Sequence, residues 1–297
     1  MVEVPLVSVI VTSYNRDAFI AETIESILTS TYGNYEVIIV DDCSTDNTVA
    51  IARKFESDRR VSVHVNEKNL GQFKNRNHAA MLAKGKYIKY CDSDDLIYPW
   101  TLEYCVSMME KYPAAGIGFI YLKGEVDKEY LLPEETIKLN FFRSTILNIG
   151  PSGTILNTEF FMRSGMYEDK YGVPSDMFFN LRMAAMFPSV LLKKDFFYYR
   201  IHSGQELSNK YSYVQHNYRY LRDIFKLPAF PLNDRQKKYL LRRQAFWYVK
   251  DFFVYIKNTG KVFLAVKAAF NSGMGIKNSI RGLFDFILIK SKMKNNF

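Results

Sequence analysis

Short apolar runs alternate with amphipathic segments along the first hundred residues. Val7–Val11 and Tyr35–Val40 are almost continuously apolar, which predicts strands buried on both faces of a parallel sheet. Between them, Ala18–Leu28 repeats apolar side chains at helical spacing. The alternation continues as helix, strand, helix and strand over residues 47–55, 61–65, 75–83 and 86–90. This order predicts an open, mostly parallel α/β sheet.

The pattern changes near Tyr211, where long helical segments rich in basic and aromatic residues begin. Apolar side chains recur at helical spacing in Gln236–Lys257, Val262–Phe270 and Ile276–Lys290. We therefore predict an α/β domain over residues 1–210 and a helical C-terminal region over residues 211–297. No stretch reaches the roughly 18 uninterrupted apolar residues of a membrane span.

The formal net charge of +9 belongs to the C-terminal region. From Arg235 onward there are 14 basic and two acidic residues, whereas the rest of the chain has 26 basic and 29 acidic ones. Basic, apolar helices of this kind predict docking on an anionic membrane surface; the alternative is a packing region whose charges face water. Because the acidic body carries no nucleic-acid motif, we expect no nucleic-acid partner.

The N-terminal residues and the cysteines bear on location. The chain leads directly into the first predicted strand rather than into a signal peptide. Its three cysteines are odd in number and form no C-x-x-C pair, which favours buried thiols in a reducing compartment. We expect a cytoplasmic protein that binds peripherally to the inner face of the cell membrane.

Polar segments follow three of the predicted strands: Thr12–Arg16, Asp41–Asp42 and Asp92–Asp95. Ligands of open α/β sheets bind beyond the carboxyl ends of the strands. The last segment crowds three carboxylates, which costs Coulomb energy unless a cation is near. It is either a polar turn or a site for a hard cation such as Mg²⁺ or Mn²⁺. The run has no His or Cys cluster beside it, which argues against a zinc site. The first strand is not followed by a G-x-G-x-x-G motif, which argues against a dinucleotide-binding site.

Six segments, in order, resemble the motifs of glycosyltransferase family 2. They span about residues 5–205 and read VSVIVTSYNR (7–16), VDDCSTDNT (40–48), NLGQFKNRN (69–77), YCDSDD (90–95), PSGT (151–154) and YRIHS (199–203). Each motif alone is weak, but the ordered set is specific. The resemblance implies a GT-A fold with a Rossmann-like central sheet, a nucleoside-diphosphate-sugar donor (most often a UDP-sugar), and Mn²⁺ or Mg²⁺.

The resemblance also implies which residues bind the nucleotide. Thr12 and the backbone near Tyr14 would line the nucleobase pocket, where the Tyr14 ring either stacks on the base or packs in its loop. Asp42 would contact uracil or ribose, and the preceding aspartate would be structural. Arg76 and Asn77 would lie near the base and the phosphates.

In the acidic run, the resemblance implies that Asp92 binds ribose and that Asp94 is the direct metal ligand. Asp95 competes for the metal-ligand role, because family members differ in which carboxylate meets the ion. His202 would approach the diphosphate or the metal; the alternative is a structural histidine.

Asp176 is the candidate general base, since the resemblance places it where inverting members hold their catalytic carboxylate. The alternative is a helix N-terminal acid that interacts with the helix dipole. Ser175 replaces the acid that usually precedes this carboxylate, which departs from the family pattern. The Q-x-x-R-W segment of processive members is also missing.

These observations together predict a metal-dependent, inverting transfer of a single sugar. The donor would be a nucleotide-sugar, and the acceptor a hydroxyl of a glycan or of a lipid-linked oligosaccharide in surface polysaccharide synthesis. The alternative is a non-catalytic module that binds nucleotides or carbohydrates on the same fold.

Overall fold

The computed structural model describes residues 4–202, 210–275 and 277–284. They form two compact units. The first unit contains the chain up to Asp169 together with Phe179–His202, and the second contains Lys170–Phe178 with the described residues from Lys210 onward. The predicted domain boundary at 210/211 lies beside residues 203–209, which are outside the described residues.

The first unit is built on an eight-stranded sheet, and a two-stranded ribbon accompanies it. The strands are β1 (Val7–Ser13), β2 (Tyr35–Asp41), β3 (Val61–Val65), β4 (Tyr87–Asp92), β5 (Leu96–Ile97), β6 (Ile117–Ile120), β7 (Tyr130–Leu131), β8 (Thr154–Asn157), β9 (Ser189–Leu192) and β10 (Phe197–Tyr198). Their order in the sheet is β3-β2-β1-β4-β8-β6-β9-β7, and β10 pairs with β5. The first four strands are parallel, and β8 runs antiparallel to β4.

Helices separate these strands and make up most of the second unit. They are α1 (Ile20–Leu28), α2 (Thr48–Arg53), α3 (Gln72–Met81), α4 (Thr101–Lys111), α5 (Pro133–Phe142), α6 (Thr158–Arg163), α7 (Ser175–Met186), α8 (Lys210–Ile224), α9 (Asp234–Thr259) and α10 (Val262–Asn271). Residues 277–284 are also helical. Within the described ranges, none of the helices combines the length and apolarity that a bilayer crossing needs.

The predicted α/β class is confirmed, and so is the parallel order of the first strands. The strand over residues 61–65 was predicted with its observed bounds, whereas β1, β2 and β4 run on to Ser13, Asp41 and Asp92. These polar strand ends stay in the sheet because they pair in register; Ser13, for example, lies opposite Asp41 and donates its hydroxyl to that carboxylate at 2.8 Å.

The apolar core of the first unit lies between the sheet and the helices packed on it. Val9 and Ile39 come from the central strands, Ile24 from α1 and Leu102 from α4, and all four are fully buried. Burial of such side chains contributes about 1.5–3 kcal/mol each. The sheet therefore gives a rigid base to the polar segments that follow its strands.

One lysine is buried in this core, on β4. Lys89 has no solvent exposure, and its Nζ donates hydrogen bonds to the carbonyl oxygens of Tyr90 (2.7 Å) and Ser152 (2.5 Å). The Nζ also lies 5.3 Å from the centroid of the Phe196 ring. Burial lowers the pKa of Lys89, whereas nearby thiols and the carboxylates of Asp95 and Asp92 raise it. Lys89 thus ties β4 to the 3₁₀ turn that holds Ser152.

Replacement of Lys89 by alanine is expected to lower the free energy of unfolding by about 3 kcal/mol, because it leaves a cavity and removes the side-chain donor to two buried carbonyls. Lys89→Met should cost less, since it fills the space. The measurement is urea-induced unfolding followed by fluorescence. The control is Lys84→Ala at an exposed lysine nearby, which should change stability by less than about 0.5 kcal/mol. Equal stability of the two alanine variants would contradict the structural role of Lys89.

Candidate active site

The carboxyl ends of β1, β2 and β4 meet at one edge of the sheet. Thr12 pairs with Asp92 across β1 and β4, and Ser13 pairs with Asp41 across β1 and β2. Thr12 is half-buried, whereas the Tyr14 side chain is 44% exposed. The convergence of polar segments expected from the sequence is therefore present, with the Tyr14 ring open to solvent.

Asp42 holds the loop that leads into α3. Its Oδ1 accepts hydrogen bonds from the Leu70 N–H (2.8 Å) and from Asn66 Nδ2 (2.9 Å), and its Oδ2 accepts one from the Gly71 N–H (2.9 Å). Gly71 has φ +86°, in the left-handed region that glycine adopts most easily. The carboxylate of Asp42 is therefore a structural clamp, and its contact with a nucleobase or ribose stays a prediction.

Asp41, the neighbouring carboxylate, is bound by its own turn and by the adjacent strand β1. It accepts hydrogen bonds from the Ser13 hydroxyl (2.8 Å), the Ser44 N–H (2.7 Å) and the Ser44 hydroxyl (2.6 Å). The side chain is buried. This arrangement agrees with the expectation that Asp41 is a structural residue at the end of the strand.

Arg76 and Asn77 follow one another on α3 but make different contacts. Arg76 is buried and its Nη2 donates to Asp92 Oδ1 at 2.7 Å. Asn77 uses both ends of its amide on the backbone of Tyr167, at 2.8 Å and 3.0 Å. Consecutive helix residues point about 100° apart, so one of them can face the acidic run while the other fixes a distant loop. The structure brings Arg76 to the acidic run, whereas the hydrogen bonds of Asn77 lie elsewhere.

The three carboxylates of the acidic run differ in burial. The side chains of Asp92 and Asp94 are 26% and 13% exposed, and Asp95 is almost fully buried. Burial, together with the negative charges of Asp92 and Asp94, raises the pKa of Asp95 to about 7, although hydrogen bonds from Ser152 and the Arg200 N–H oppose the rise. Negative charge on Asp95 is therefore costly in the absence of a nearby cation.

Asp94 is flanked by two cationic or protonatable side chains. Its Oδ2 accepts a hydrogen bond from Arg16 Nε at 3.1 Å and lies 2.9 Å from His202 Nε2. The His202 ring is also 4.6 Å from the Phe19 ring. The structure thus places His202 beside the predicted metal ligand, although it lies 108 residues away in the chain.

The sequence assigned no role to Arg16 or Ser152, yet both contact the acidic run. The Ser152 hydroxyl oxygen accepts a hydrogen bond from the Asp92 N–H at 2.9 Å. Arg200 forms an ion pair with Glu22 at 2.8 Å, and its guanidinium carbon lies 5.0 Å from the centroid of the Phe19 ring. The one sequence signal for Arg16 and Ser152 is that both lie within the family motifs. Their partners in the acidic run are remote in sequence, so the contacts themselves could not be predicted.

The donor set of the site is compatible with a hard divalent cation. Among the residues that the structure describes, no three Asp, Glu, His or Cys side chains converge to form a closed metal site. Mg²⁺ is commonly held by only one or two protein carboxylates together with substrate phosphates. Asp94 and the adjacent His202 supply such a partial set of ligands. A bound cation would also stabilise the negative charge of Asp95, whose pKa is raised in its absence.

Asp176, the predicted base, lies in the first turn of α7 and is half-buried. This part of the chain belongs to the second unit, whereas the acidic run belongs to the first. A carboxylate in the first turn also interacts favourably with the helix dipole. The role of Asp176 as a base stays a prediction.

Comparison with curated proteins finds several glycosyltransferases. An uncharacterised glycosyltransferase of Haemophilus influenzae is 31% identical over 240 residues, covering 71% of this chain and 70% of that protein. The Escherichia coli protein WfgD, named UDP-Glc:alpha-D-GlcNAc-diphosphoundecaprenol beta-1,3-glucosyltransferase, is 40% identical over 121 residues, which cover 41% of this chain and 46% of WfgD. The chain thus spans less than half the length of WfgD.

Solved structures share the fold at low sequence identity. Residues 1–349 of Staphylococcus aureus TarS in complex with UDP-GlcNAc align with a TM-score of 0.67 and 22% identity, over 95% of this chain and 80% of that one. The mannosyltransferase PcManGT of Pyrobaculum calidifontis, in complex with GDP-Man and Mn²⁺, aligns with a TM-score of 0.65 and 16% identity, over 96% and 88%. These similarities confirm the GT-A type of fold.

The family itself is established at the level of sequence. The sequence model described as glycosyl transferase family 2 matches residues 8–172, which is more than half of the chain and includes the whole acidic run. The chain therefore belongs to glycosyltransferase family 2.

Proposed function

We propose that this protein transfers a single sugar from a UDP-sugar to a hydroxyl of a glycan or of a lipid-linked oligosaccharide, with inversion at the anomeric carbon. The observation that carries the proposal is the contact of Asp94 with Arg16 and His202 at the end of β4, next to the Asp92–Arg76 ion pair. The names of WfgD, a UDP-Glc-dependent glucosyltransferase, and TarS, an N-acetylglucosaminyltransferase, support this class of donor and a role in surface polysaccharide synthesis.

The electrostatics of the strand ends suit a diphosphate. Arg16 and His202 both contact the partly exposed carboxylate of Asp94, and Arg16 also donates to the carbonyl oxygens of Tyr14 and Asn15. Charge-assisted hydrogen bonds from such groups stabilise phosphate oxygens more than neutral donors do. In the proposal these two side chains bind the diphosphate of the donor, and Asp92, positioned by Arg76, binds its ribose.

A divalent cation completes the proposed donor site. Asp94 would hold Mn²⁺ or Mg²⁺, with Asp95 as the competing ligand and His202 beside them. When bound, the cation neutralises negative charge on the departing UDP. The remaining nucleotide contacts would come from Thr12, Tyr14 and the Asp42 loop.

The acceptor hydroxyl must lose a proton as it attacks, and Asp176 is the proposed base. A carboxylate suits this step because it can accept the proton directly within hydrogen-bond reach of the hydroxyl. A single displacement by that hydroxyl inverts the anomeric centre, which agrees with the inverting chemistry that the family resemblance implies.

Replacement of Asp94 by asparagine tests the proposed cation site. We expect the Mn²⁺-dependent release of UDP from the donor to fall by at least about a hundredfold, because the amide cannot supply an anionic ligand. UDP release should be measured with purified full-length chain over a range of Mn²⁺ concentrations. The matched control is Asp169→Asn, at an exposed carboxylate paired with Lys74, which should leave the rate unchanged. Wild-type turnover by Asp94→Asn would remove Asp94 from the metal site.

Replacement of Asp176 by asparagine separates catalysis from binding. We expect kcat with acceptor to fall by about a hundredfold or more, while UDP affinity in calorimetry stays within twofold, because a base acts on the acceptor and not on the nucleotide. Glu159→Gln, at an exposed side chain of α6, is the control. Unchanged kcat would refute Asp176 as the base. UDP binding without turnover in the wild type, with any acceptor tested, would favour the non-catalytic alternative.

The crowding of the acidic run predicts a pH-dependent stability. Asp95 titrates near pH 7 in the folded chain but near its ordinary value of 3.8 when unfolded. Its native state therefore keeps a proton between these values, so the contribution of Asp95 to stability is full below about pH 4 and is lost as the pH rises through about 7.

The variant Asp95→Asn keeps a neutral side chain at every pH. In EDTA we expect its Tm to be close to that of the wild type at about pH 4, and higher by several degrees at about pH 8. Thermal unfolding followed by circular dichroism gives the comparison. Asp195→Asn, at an exposed carboxylate, should show no such trend with pH. A constant difference between Asp95→Asn and the wild type would contradict the raised pKa.

A further inference from the structure

Helix α10 in the second unit has its amphipathic pattern reversed. Phe263, Val266 and Phe270 are 79%, 40% and 82% exposed, whereas Ala265 and Ala268 are fully buried. At 3.6 residues per turn the three large side chains fall on one face and the two alanines on the opposite face. A helix that remains in water normally buries its large apolar side chains, so the outward face of α10 requires a partner.

The surroundings of this face are positively charged. Lys267 lies on the same face of α10, and Lys261 directly precedes the helix. Residues 252–284 contain five basic side chains and no acidic one. After α10, the helix over residues 277–284 exposes Ile280 (60%) and Phe284 (64%) alongside its own basic residues. Apolar and cationic side chains therefore occur together along this part of the chain.

We propose that the outward face of α10 docks on an anionic lipid bilayer. Phe263, Val266 and Phe270 would enter the boundary between headgroups and acyl chains, and Lys261 and Lys267 would pair with lipid phosphates. Aromatic and aliphatic side chains flanked by lysines are the composition that lies in a membrane interface. Lysine stems also reach along apolar surface while their charges stay among the headgroups.

Charge decides between a membrane and other partners for this face. A second copy of the chain would bring two strongly positive segments together, which repel each other. The residues after 284 carry three lysines and one aspartate, so they too are positive and bring no net negative charge to this face. An anionic bilayer offers negatively charged headgroups for the lysines and an apolar interior for the aromatic and aliphatic side chains.

This inference goes beyond the proposed transfer chemistry and does not depend on it. It also sharpens the expectation from the sequence, which treated three C-terminal segments alike, because it assigns the docking to the face of α10 that carries two outward aromatic rings opposite two fully buried alanines. A membrane-bound transferase would meet lipid-linked acceptors where they reside.

The test uses the full chain and co-sedimentation with vesicles of phosphatidylcholine containing about a third phosphatidylglycerol. The wild type should bind these vesicles, bind pure phosphatidylcholine much less, and be released by salt. The double variant Phe263→Ser/Phe270→Ser should bind the anionic vesicles at least about tenfold more weakly. Lys261→Glu/Lys267→Glu should also bind weakly.

The matched control is Leu122→Ser/Leu132→Ser, which removes two apolar side chains of the first unit that are 56% and 52% exposed. It should bind vesicles as the wild type does. All variants should keep the Tm and the UDP affinity of the wild type, since every substituted side chain is exposed. A misfolded variant would thereby be recognised before its binding is compared.

Three results would overturn the proposal. They are a wild-type chain that stays in the supernatant, equal binding to neutral and anionic vesicles, and unaltered binding by Phe263→Ser/Phe270→Ser. A wild-type dimer in sedimentation equilibrium that the same double variant dissociates would assign the face to self-association instead. Failure of UDP binding would refute the proposed transferase and leave the membrane result intact.

Discussion

The site depends on how negative charge is held at the end of β4. Three carboxylates within four positions repel one another, and the chain offsets this with cationic groups from separate elements. Arg76 approaches from α3 and Arg16 from the segment after β1. Both contacts join elements that are remote in sequence and meet only in the assembled sheet. Folding therefore also brings the charged groups of the site together.

The central part of the sheet could be predicted from the sequence, because parallel strands that are buried on both faces have continuous runs of apolar residues. Those runs located β1 and β2, the alternation of strands and helices located β3 and β4, and the strand ends then indicated the sheet edge where the polar segments meet. The later strands, such as β7 and β8, are two to four residues long and pair with distant partners. Periodicity carries no signal over such lengths, so their place in the sheet was beyond prediction.

In the site, too, some features could be predicted from the sequence and others only from the structure. The family motifs located the acidic run and His202, but not the hydrogen bonds between motifs. The Asp92 N–H bond to Ser152 joins residues 60 positions apart, and the use of Asn77 to fix Tyr167 joins residues 90 apart. Residue type allows many partners for an amide or a hydroxyl, and only the packed fold selects one. Asp42, with three donors on its carboxylate, shows that a motif residue can also serve the fold.

The buried amine of Lys89 has a practical consequence. Reagents that acylate lysines react with the neutral, solvent-accessible amine, and this one is enclosed between β4 and the turn that holds Ser152. Covalent labelling of Lys89 can then proceed only from states in which that part of the sheet has opened. The rate at which Lys89 is labelled, measured by mass spectrometry of its peptide, would thus report how often this part of the sheet opens. It can be distinguished from the labelling of the many surface lysines.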